Sequence, residues 1–300
     1  MQLWKQIKRH RQIYILVLPA LLYFAVFCYG PMYGIQLAFK DYYALEGITG
    51  SPWIGFAHFE RFFNSFQFKK LLGNTISLSL LQLLFGFPIP VILALCLNYA
   101  RNSKFKRFVQ TVTYAPHFIS IVVLVGMINI FFSINGGLVN QFIQMLGFEP
   151  VLFTGKEKYF QPLFVGSGIW QNMGWNAIIY LAALSGVSPE LHEAAVADGA
   201  SKIRRVWHID IPTILPTIII MLILNFGQLM GIGFEKAFLM QNSLNIGKSE
   251  IISTYVYKIG LVDAQYGFAT AVGLFNSIVN FILLVVVNKI SKKVSETSLW

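Results

Sequence analysis

Six stretches of this sequence contain no Asp, Glu, Lys or Arg and are long enough to cross a lipid bilayer. A transmembrane helix needs about 20 mainly apolar residues to span the hydrocarbon core. The charge-free stretches run over residues 12–39, 71–100, 108–148, 159–189, 211–234 and 264–288. Only 12% of the 300 residues are charged, whereas soluble domains carry about 25%. The pattern therefore indicates a protein that crosses a membrane several times.

Hydropathy and the positions of Gly, Pro and Asn clusters trim these stretches to individual helices. The third stretch is too long for one helix, and its segment 133–137 (SINGG) is typical of a turn. We expect spans near residues 12–34, 71–98, 109–132, 160–184, 213–235 and 268–289. The predicted fold class is an all-α membrane protein with six transmembrane helices, which form a single transmembrane domain over residues 1–300.

The Lys and Arg residues are distributed unevenly between the two sides that six spans define. An even number of spans places both termini on one side, and that side receives 14 of the 23 Lys and Arg residues. These are Lys5, Lys8, Arg9, Arg11, Arg101, Lys104, Lys106, Arg107, Lys202, Arg204, Arg205, Lys289, Lys292 and Lys293, against which stand only Glu190, Glu193, Asp198, Asp210 and Glu296. Because cytoplasmic loops collect Lys and Arg, both termini are predicted to be cytoplasmic. Topology and contact with anionic membrane lipid explain the basic excess, so no nucleic-acid partner is predicted.

The loop between the fourth and fifth predicted spans, residues 188–212, also falls on the cytoplasmic side and carries charged residues between two apolar stretches. A short helix that begins with Pro189 at its first position would end near Asp198, because Gly199 can take the left-handed conformation that closes a helix. A second short helical stretch, near residues 201–209, would then restart at an angle before the fifth span.

The residue types in this loop support two interpretations. Ala194 and Ala195 leave little side-chain bulk, so another protein could approach closely. Arg204 and Arg205 lie beside Trp207, and such a mixed surface suits docking in an acidic-rimmed groove. The alternative is an amphipathic helix that lies on the lipid headgroups. These residues by themselves leave both interpretations open.

The spacing in this loop resembles the EAA loop of ABC importer permeases. Residues 193–195 (EAA) are followed after three residues by Gly199, after nine more by Ile209, and then by Ile211 and Pro212. The family pattern is EAA-x3-G-x9-I-x-L-P, so this chain departs from it only in having Ile211 for Leu. The resemblance implies the type I ABC importer permease fold, in which residues 188–212 form a coupling loop whose helix is seated in a cleft of an ATP-binding subunit. The predicted coupling residues are Glu193, Ala194, Ala195, Gly199, Arg204, Arg205, Trp207, Ile209 and Pro212.

Two longer stretches, residues 225–242 and 266–276, are similar to permeases for oligosaccharides and polysaccharide fragments. The similar group is the LplB-type permeases, which includes the membrane component of bacterial alginate-oligosaccharide importers. The resemblance implies a heterodimer with a second homologous permease, two copies of a cytoplasmic ATP-binding subunit and an extracytoplasmic sugar-binding protein. It also implies a multi-pass location in the bacterial inner (cytoplasmic) membrane.

The sequence lacks the residue patterns that an enzyme or a metalloprotein needs. It has no Gly-rich loop ending in Lys-Ser/Thr for binding phosphates, and no His, Cys, Asp and Glu cluster at metal-ligand spacing. Cys28 and Cys96 lie inside apolar runs, where they are expected to be small buried hydrophobes. We therefore predict no catalytic residue, no metal site and no cofactor in this chain, with ATP and Mg²⁺ bound by the partner ATPase.

Polar and aromatic side chains inside the predicted spans are the candidates for a sugar path, because amides hydrogen-bond hydroxyl groups and Trp faces stack on sugar rings. Pairs four residues apart share one side of a helix, as do Gln171 with Trp175 and Asn276 with Asn280. The predicted path residues are Trp170, Gln171, Asn172, Trp175, Asn176, Asn225, Gln228, Glu235, Asn276 and Asn280. Intramembrane amides also hold helices together, and this alternative applies to each of them.

Two other functions are compatible with the sequence. A permease of the same architecture could carry a peptide or a polyamine. A stand-alone channel or secondary transporter would predict internal two-fold repeats or functional intramembrane charges, and we find neither in the sequence. Since no Lys or Arg lies within the core of a predicted span, we expect the chain to favour neutral sugars or to leave any carboxylate to the partner permease.

Overall fold

The computed structural model describes residues 10–295 and 297–299. Lys5, Lys8, Arg9 and Glu296, which entered the charge comparison, lie outside the described residues. Within those ranges the chain is helical and contains no strand, apart from one isolated antiparallel bridge between Lys40 and Trp53. The all-α fold class predicted from the sequence is thereby confirmed for the described part of the chain.

The α-helices, in chain order, are α1 (Arg11–Tyr23), α2 (Gly47–Gly50), α3 (Ala57–Phe63), α4 (Phe66–Leu81), α5 (Pro88–Asn98), α6 (Ser103–Tyr114), α7 (Ile121–Phe131), α8 (Leu138–Met145), α9 (Glu157–Leu184), α10 (Pro189–Ala197), α11 (Lys202–Arg205), α12 (Ile211–Phe226), α13 (Phe234–Met240), α14 (Ile246–Ser249), α15 (Ile252–Tyr257) and α16 (Tyr266–Ser295). Wider π-helical turns lie at Phe24–Tyr29, Gln82–Gly86, Val206–Asp210 and Lys258–Val262, and 3₁₀ turns at Gly30–Phe39, Ala115–Phe118 and Leu229–Gly231.

Four helical segments in the described part are long and apolar enough to cross a membrane: Arg11–Phe39, Phe66–Asn98, Lys202–Phe226 and Tyr266–Lys293. A fifth candidate is a bent pair, Ser103–Phe118 with Ile121–Phe131, whose two helices meet at 102°. Helix α9 has 28 residues and is therefore about 42 Å long. It is absent from this apolar set, and its sequence is interrupted by polar residues such as Gln171, Asn172 and Asn176.

The structure divides the segment 109–132, where the sequence predicted one continuous span. Helix α6 ends at Tyr114 and α7 begins only at Ile121. Pro116 has no backbone N–H and so cannot continue the helical hydrogen bonds. The Ser120 hydroxyl accepts a hydrogen bond from the Val123 amide at 3.3 Å and caps the new helix.

The fifth predicted span, 213–235, also differs from the structure at its C-terminal end. Helix α12 stops at Phe226, a 3₁₀ turn follows at Leu229–Gly231, and α13 starts at Phe234. The apolar sequence continues through this region, so hydropathy alone overestimates the length of the helix. The interruption exposes backbone groups that need partners from other helices.

The chain forms two compact units. The described part of the first comprises residues 10–65 and 256–274. Within it, Phe62, Phe268 and Val272 are buried. The Arg61 guanidinium lies 4.1 Å from the centre of the Phe268 ring and donates a hydrogen bond to the Gln265 side chain at 2.9 Å.

The described part of the second unit comprises residues 66–255, 275–295 and 297–299, and α9 is its central helix. One hydrophobic cluster surrounds the N-terminal part of α9 at Phe160 and Phe164, and another surrounds its C-terminal part at Tyr180 and Leu184. Because lipid chains are as apolar as these side chains, the clusters stabilise the unit by close packing rather than by removal from water. The polar middle of α9 lies between them.

Helix α9 packs tightly against α6 at Gly174. A Cβ atom at this position would lie 2.2 Å from the carbonyl oxygen of Thr113. The two backbones are therefore in direct contact, and only glycine fits there.

Candidate functional site: a bent interhelical loop and a polar cavity

Helix α10 is closed by a left-handed glycine, as the sequence predicted. Gly199 has φ of 76°. Its amide donates to the Val196 carbonyl at 3.0 Å, and the Ala200 amide donates to the Ala195 carbonyl at 2.8 Å. These two hydrogen bonds form the Schellman arrangement that satisfies the last carbonyls of a helix. The loop therefore has a fixed bend and is not a flexible linker.

The outer face of α10 carries small and apolar side chains together with the acidic Glu193. Glu193, Ala194 and Val196 are exposed, and Ala195 is half-buried. Leu191 also presents 53% of its surface. An exposed helix face of this kind leaves room for another protein surface to approach the backbone.

Beyond the bend, Ser201 caps the N-terminus of α11, because its hydroxyl accepts a hydrogen bond from the Arg204 amide at 3.3 Å. Arg204 and Trp207 are exposed and extend the surface that α10 begins. Arg205 and Ile209 are half-buried and face the protein, while Pro212 is exposed at the start of α12. The predicted coupling residues thus divide into an outward set and a set that packs the loop against the spans.

A pocket of about 270 Å³ lies between the two parts of the loop. It is lined by Ala195, Asp198, Ala200, Arg204, Arg205, His208 and Ile209. Its walls combine small residues with charges of both signs, so it suits a polar side chain inserted by another protein.

A second, polar cavity of about 180 Å³ lies at the interruption after α12. It is lined by Ser79, Gln82, Leu83, Asn225, Gln228, Leu229, Gly231, Ile232 and Gly233. Asn225 and Gln228, two of the predicted path residues, meet here with Ser79 and Gln82 of the preceding helices. Its polar lining consists of uncharged amide and hydroxyl groups, which can donate and accept hydrogen bonds.

Three side chains hold the interrupted backbone beside this cavity. The Asn280 side-chain oxygen accepts a hydrogen bond from the Met230 amide at 2.8 Å, and the Asn276 side chain donates to the Met230 carbonyl at 3.1 Å. The Ser79 hydroxyl donates to the Leu229 carbonyl. The predicted path residues Asn276 and Asn280 therefore hold the cavity wall in place.

The predicted polar residues of α9 contact the bend between α6 and α7. Buried Gln171 donates to the Ile119 carbonyl at 2.8 Å. The Asn172 side-chain oxygen lies 3.0 Å from Nδ1 of His117, and the Trp175 ring stacks on His117 with centroids 4.4 Å apart. These contacts brace the 102° bend from one side.

The other predicted path residues lie apart from these contacts. Trp170 borders an apolar groove that also contains Met127 and Phe131. Asn176 and Glu235 are exposed. The structure thus brings together Asn225 with Gln228, and Gln171 with Asn172 and Trp175, and it leaves Trp170, Asn176 and Glu235 outside both groups.

Residues 86–296 match the family of inner membrane components of binding-protein-dependent transport systems. The chain belongs to this family. The match covers the bent loop, α9 and the part of the cavity wall that residues 225–233 form. It confirms the resemblance to ABC importer permeases that the spacing of residues 193–212 indicated. As a member, the chain is a membrane-embedded component of such a transport system.

Relatives within this family align along nearly the whole chain. Protein LplB of Bacillus subtilis (strain 168) is 44% identical over 294 residues, which cover 98% of this chain and 92% of that protein. The polygalacturonan/rhamnogalacturonan transport system permease protein YteP of the same organism is 42% identical over 292 residues, covering 97% and 91%. A crystal structure of a bacterial alginate ABC transporter, in complex with an alginate pentasaccharide-bound periplasmic protein, contains a chain that superposes with a TM-score of 0.92. That chain is 38% identical, and the match covers 100% of both chains.

Some residues of this permease's site were missed by sequence reasoning. Ser79 and Gln82 are three residues apart in the second predicted span and could have been found as a polar pair on one helix side. Lys236 follows the predicted end of the fifth span and was not assigned a role. It is buried, and its ammonium group donates to the Phe164 carbonyl at 2.7 Å and lies 4.7 Å from the Phe164 ring centre.

Proposed function

We propose that this chain is one of two permease subunits of an ATP-driven importer that takes up oligosaccharides or polysaccharide fragments. An extracytoplasmic binding protein delivers the sugar, and two copies of a cytoplasmic ATP-binding subunit supply the energy. The observation that carries this proposal is the helix α10, closed at Gly199 and followed by the exposed α11, within a chain of this family. ATP and Mg²⁺ belong to the partner ATPase, and this chain contributes no catalytic group.

The proposed coupling mechanism follows from the rigidity of the loop. Glu193, Ala194 and the exposed Arg204 and Trp207 contact a cleft of the ATP-binding subunit. When the two ATP-binding subunits close on each other, they move both coupling helices together. The Schellman bend at Gly199 transmits that displacement to α12 as a rigid body, and the spans open the cavity to the outside.

The proposed topology has six spans and cytoplasmic termini. Helix α9 is the fourth span, and the bent pair α6 and α7 is the third. The polar residues of α9 are compatible with a membrane position because Gln171 and Asn172 are hydrogen-bonded inside the unit. The basic residues on the proposed cytoplasmic side support this orientation.

The proposed sugar path runs past the cavity at the interruption after α12. Irregular backbone at membrane depth is tolerated where it lines a cavity, and interrupted helices mark binding sites in other transporters. Gln82, Asn225 and Gln228 offer amides for sugar hydroxyl groups, while Asn276 and Asn280 keep the wall in position. Trp170, Gln171, Asn172, Trp175, Asn176 and Glu235 are retained as proposed path residues outside the lining of this cavity.

The charge of the sugar is a separate part of the proposal. The cavity lining is uncharged, and the ammonium group of nearby Lys236 is already bound to the Phe164 carbonyl. Both features support a neutral segment of sugar at this subunit. The names of the similar proteins refer to acidic polymers as well, so any carboxylate would then be held by the partner permease.

The test is reconstitution of the assembled transporter in proteoliposomes with its binding protein. An alginate pentasaccharide, an oligogalacturonate and a neutral arabino-oligosaccharide are compared for uptake and for stimulation of ATP hydrolysis. We expect ATP-dependent uptake of at least one of them. Uptake that continues without the ATP-binding subunits would indicate a channel, and absence of uptake of all three oligosaccharides would refute the sugar assignment.

The path is tested separately with Gln228→Leu, which removes an amide from the cavity and keeps a similar volume. We expect a several-fold higher sugar concentration for half-maximal uptake, since one or two hydrogen bonds to sugar are lost at about 1 kcal/mol each. Gln141→Leu in α8 is the matched control, because Gln141 is exposed and lies outside the cavity. Equal behaviour of the two variants would exclude Gln228 from the path.

A further inference from the structure

A fully buried carboxylate lies at the junction between the cytoplasmic loop and the fifth helix. Asp210 has no exposed surface. The Tyr99 hydroxyl, just after α5, donates a hydrogen bond to Asp210 Oδ2 at 2.6 Å. His192 in α10 places Nε2 at 3.3 Å from Asp210 Oδ1. Asp210 immediately precedes α12, so its carboxylate links the start of α12 to the end of α5 and to α10.

A π-helical turn at Val206–Asp210 precedes α12. Such a turn contains an extra residue and changes the direction of the side chains that follow it. Here Trp207 remains exposed while Asp210 is buried. A charged side chain is costly to bury without partners, so its position depends on the contacts that Tyr99 and His192 make.

The two contacts differ in quality. The Tyr99 bond is short and well formed, and burial, followed by the hydrogen bond to Asp210, raises the pKa of Tyr99 to about 12. The hydroxyl therefore keeps its proton and remains a donor at physiological pH. By contrast, Asp210 Oδ1 and His192 Nε2 are within ion-pair distance but lack hydrogen-bond geometry. The hydrogen bond that links Asp210 to Tyr99 after α5 is therefore fully formed. The contact of Asp210 with His192 in α10 can become shorter or longer when α10 moves.

Arg205 completes the surroundings of this carboxylate. Its guanidinium lies 5.5 Å from the centre of the Tyr99 ring. Its Nε atom, like Nδ1 of His192, is buried and has no hydrogen-bond partner among the described residues. Buried polar atoms without partners are costly, so small movements of α10 change the energy of this group of side chains.

We infer that Asp210, Tyr99 and His192 form an anchor that transmits movement of the coupling helix α10 to the spans α5 and α12. We name these three residues the Asp210 anchor. In this arrangement Asp210 is a positioning residue, since it contacts neither sugar nor ATP. When the ATP-binding subunit displaces α10, His192 moves with it. The Asp210 carboxylate then transmits this displacement to α5 and α12. The inference rests on the proposed function, because it needs an attached ATPase.

The test measures the ratio of sugar uptake to ATP hydrolysis in assembled transporters, with the binding protein carrying whichever of the three oligosaccharides above gives the highest wild-type uptake. Tyr99→Phe removes only the donor to Asp210 and retains the ring beneath Arg205. Asp210→Leu removes the carboxylate at similar volume, and Asp210→Asn keeps an acceptor for Tyr99. We expect the first two to lower the ratio by about five- to tenfold and Asp210→Asn to lower it less.

The double variant Tyr99→Phe with Asp210→Leu distinguishes loss of the contact between these two residues from general destabilisation of the protein. If the two residues act through one contact, the double variant has the same ratio as Asp210→Leu alone. Independent losses would multiply instead and would overturn the inference. Tyr180→Phe is the control, because Tyr180 is 2% exposed in the neighbouring hydrophobic cluster and lies outside the anchor.

The outcomes distinguish this inference from the proposed function. Unchanged ratios in Tyr99→Phe and Asp210→Leu, with wild-type uptake intact, overturn the anchor alone. Absence of wild-type uptake for all sugars overturns the proposed function. If Asp210→Leu fails to assemble, Tyr99→Phe decides, and an equal loss of uptake and hydrolysis in it would show a purely structural role and refute the anchor.

Discussion

The side chain of Asn280 accepts a hydrogen bond from the backbone amide of Met230 at 2.8 Å, across 50 residues of sequence. Together with the bond from Asn276 to the Met230 carbonyl, it satisfies both backbone polar groups of one residue in the interrupted segment. Unpaired backbone groups at membrane depth cost several kcal/mol. The last helix therefore determines where the wall of the polar cavity lies.

These two hydrogen bonds predict that Asn→Asp substitutions at positions 280 and 276 affect the stability of the protein differently. Asn280→Asp keeps the oxygen that accepts from the Met230 amide and is expected to be tolerated. Asn276→Asp loses the donor and places a carboxylate against a carbonyl, so we expect it to destabilise the protein by about 1–3 kcal/mol. Thermal unfolding of the purified transporter in detergent measures both, and equal melting temperatures for the two variants would contradict the assigned donor and acceptor roles.

The contact between α9 and α6 predicts a strong effect of a single methyl group. Gly174→Ala would place Cβ 2.2 Å from the Thr113 carbonyl oxygen, a backbone atom that cannot rotate away. We expect a loss of about 1–3 kcal/mol, seen as a lower unfolding temperature. Gly166→Ala in the same helix is the matched control.

At Gly166 a Cβ would meet nothing within 4 Å. Because alanine favours helix more than glycine, this control is expected to be neutral or to stabilise the protein by about 0.5–1 kcal/mol. Similar unfolding temperatures for Gly174→Ala and Gly166→Ala would show that α9 and α6 are farther apart than the structure places them.

Much of the fold was predictable because a local run of about 20 apolar residues is enough to identify a membrane-crossing helix. Residues 12–34, 71–98 and 268–289 were predicted as helices, and the structure has helical segments over each of these ranges. The closure of α10 was predictable for a similar reason, since Gly199 is the residue that can take a positive φ without strain.

The breaks in the helices were not predictable because distant residues decide them. Proline within a membrane helix is often tolerated, so Pro116 alone does not reveal a 102° bend. That bend is braced by Gln171 and Asn172 of α9. Likewise, the end of α12 at Phe226 depends on side chains from the last helix. The Asp210 anchor was missed because its members come from three separate elements.

The proposed topology predicts that the two ends of α9 are accessible from opposite sides of the membrane. Cys28 and Cys96 are first replaced by alanine, and a single cysteine is introduced as Glu149→Cys before α9 or as Ser188→Cys after it. Both positions are exposed. An impermeant maleimide added to spheroplasts is expected to label the first and not the second.

Permeabilised cells provide the control for this experiment, since both cysteines should react there. Labelling of both positions in intact spheroplasts would show that α9 does not cross the membrane. That result would leave five spans and place the termini on opposite sides.

The bend after α10 predicts that proline at Gly199 uncouples ATP hydrolysis from transport. Proline is restricted to φ near −65° and has no amide hydrogen, whereas Gly199 has φ of 76° and donates to the Val196 carbonyl. Gly199→Pro should therefore redirect α11 while leaving the spans intact. Since backbone strain of this kind amounts to about 1–3 kcal/mol, we expect uptake per ATP hydrolysed to fall about tenfold. Gly199→Asn is the control, because asparagine tolerates the left-handed region and retains its amide hydrogen, so it should keep most of the coupling. Normal uptake by the proline variant would mean that this bend does not carry the motion from the ATPase to α12.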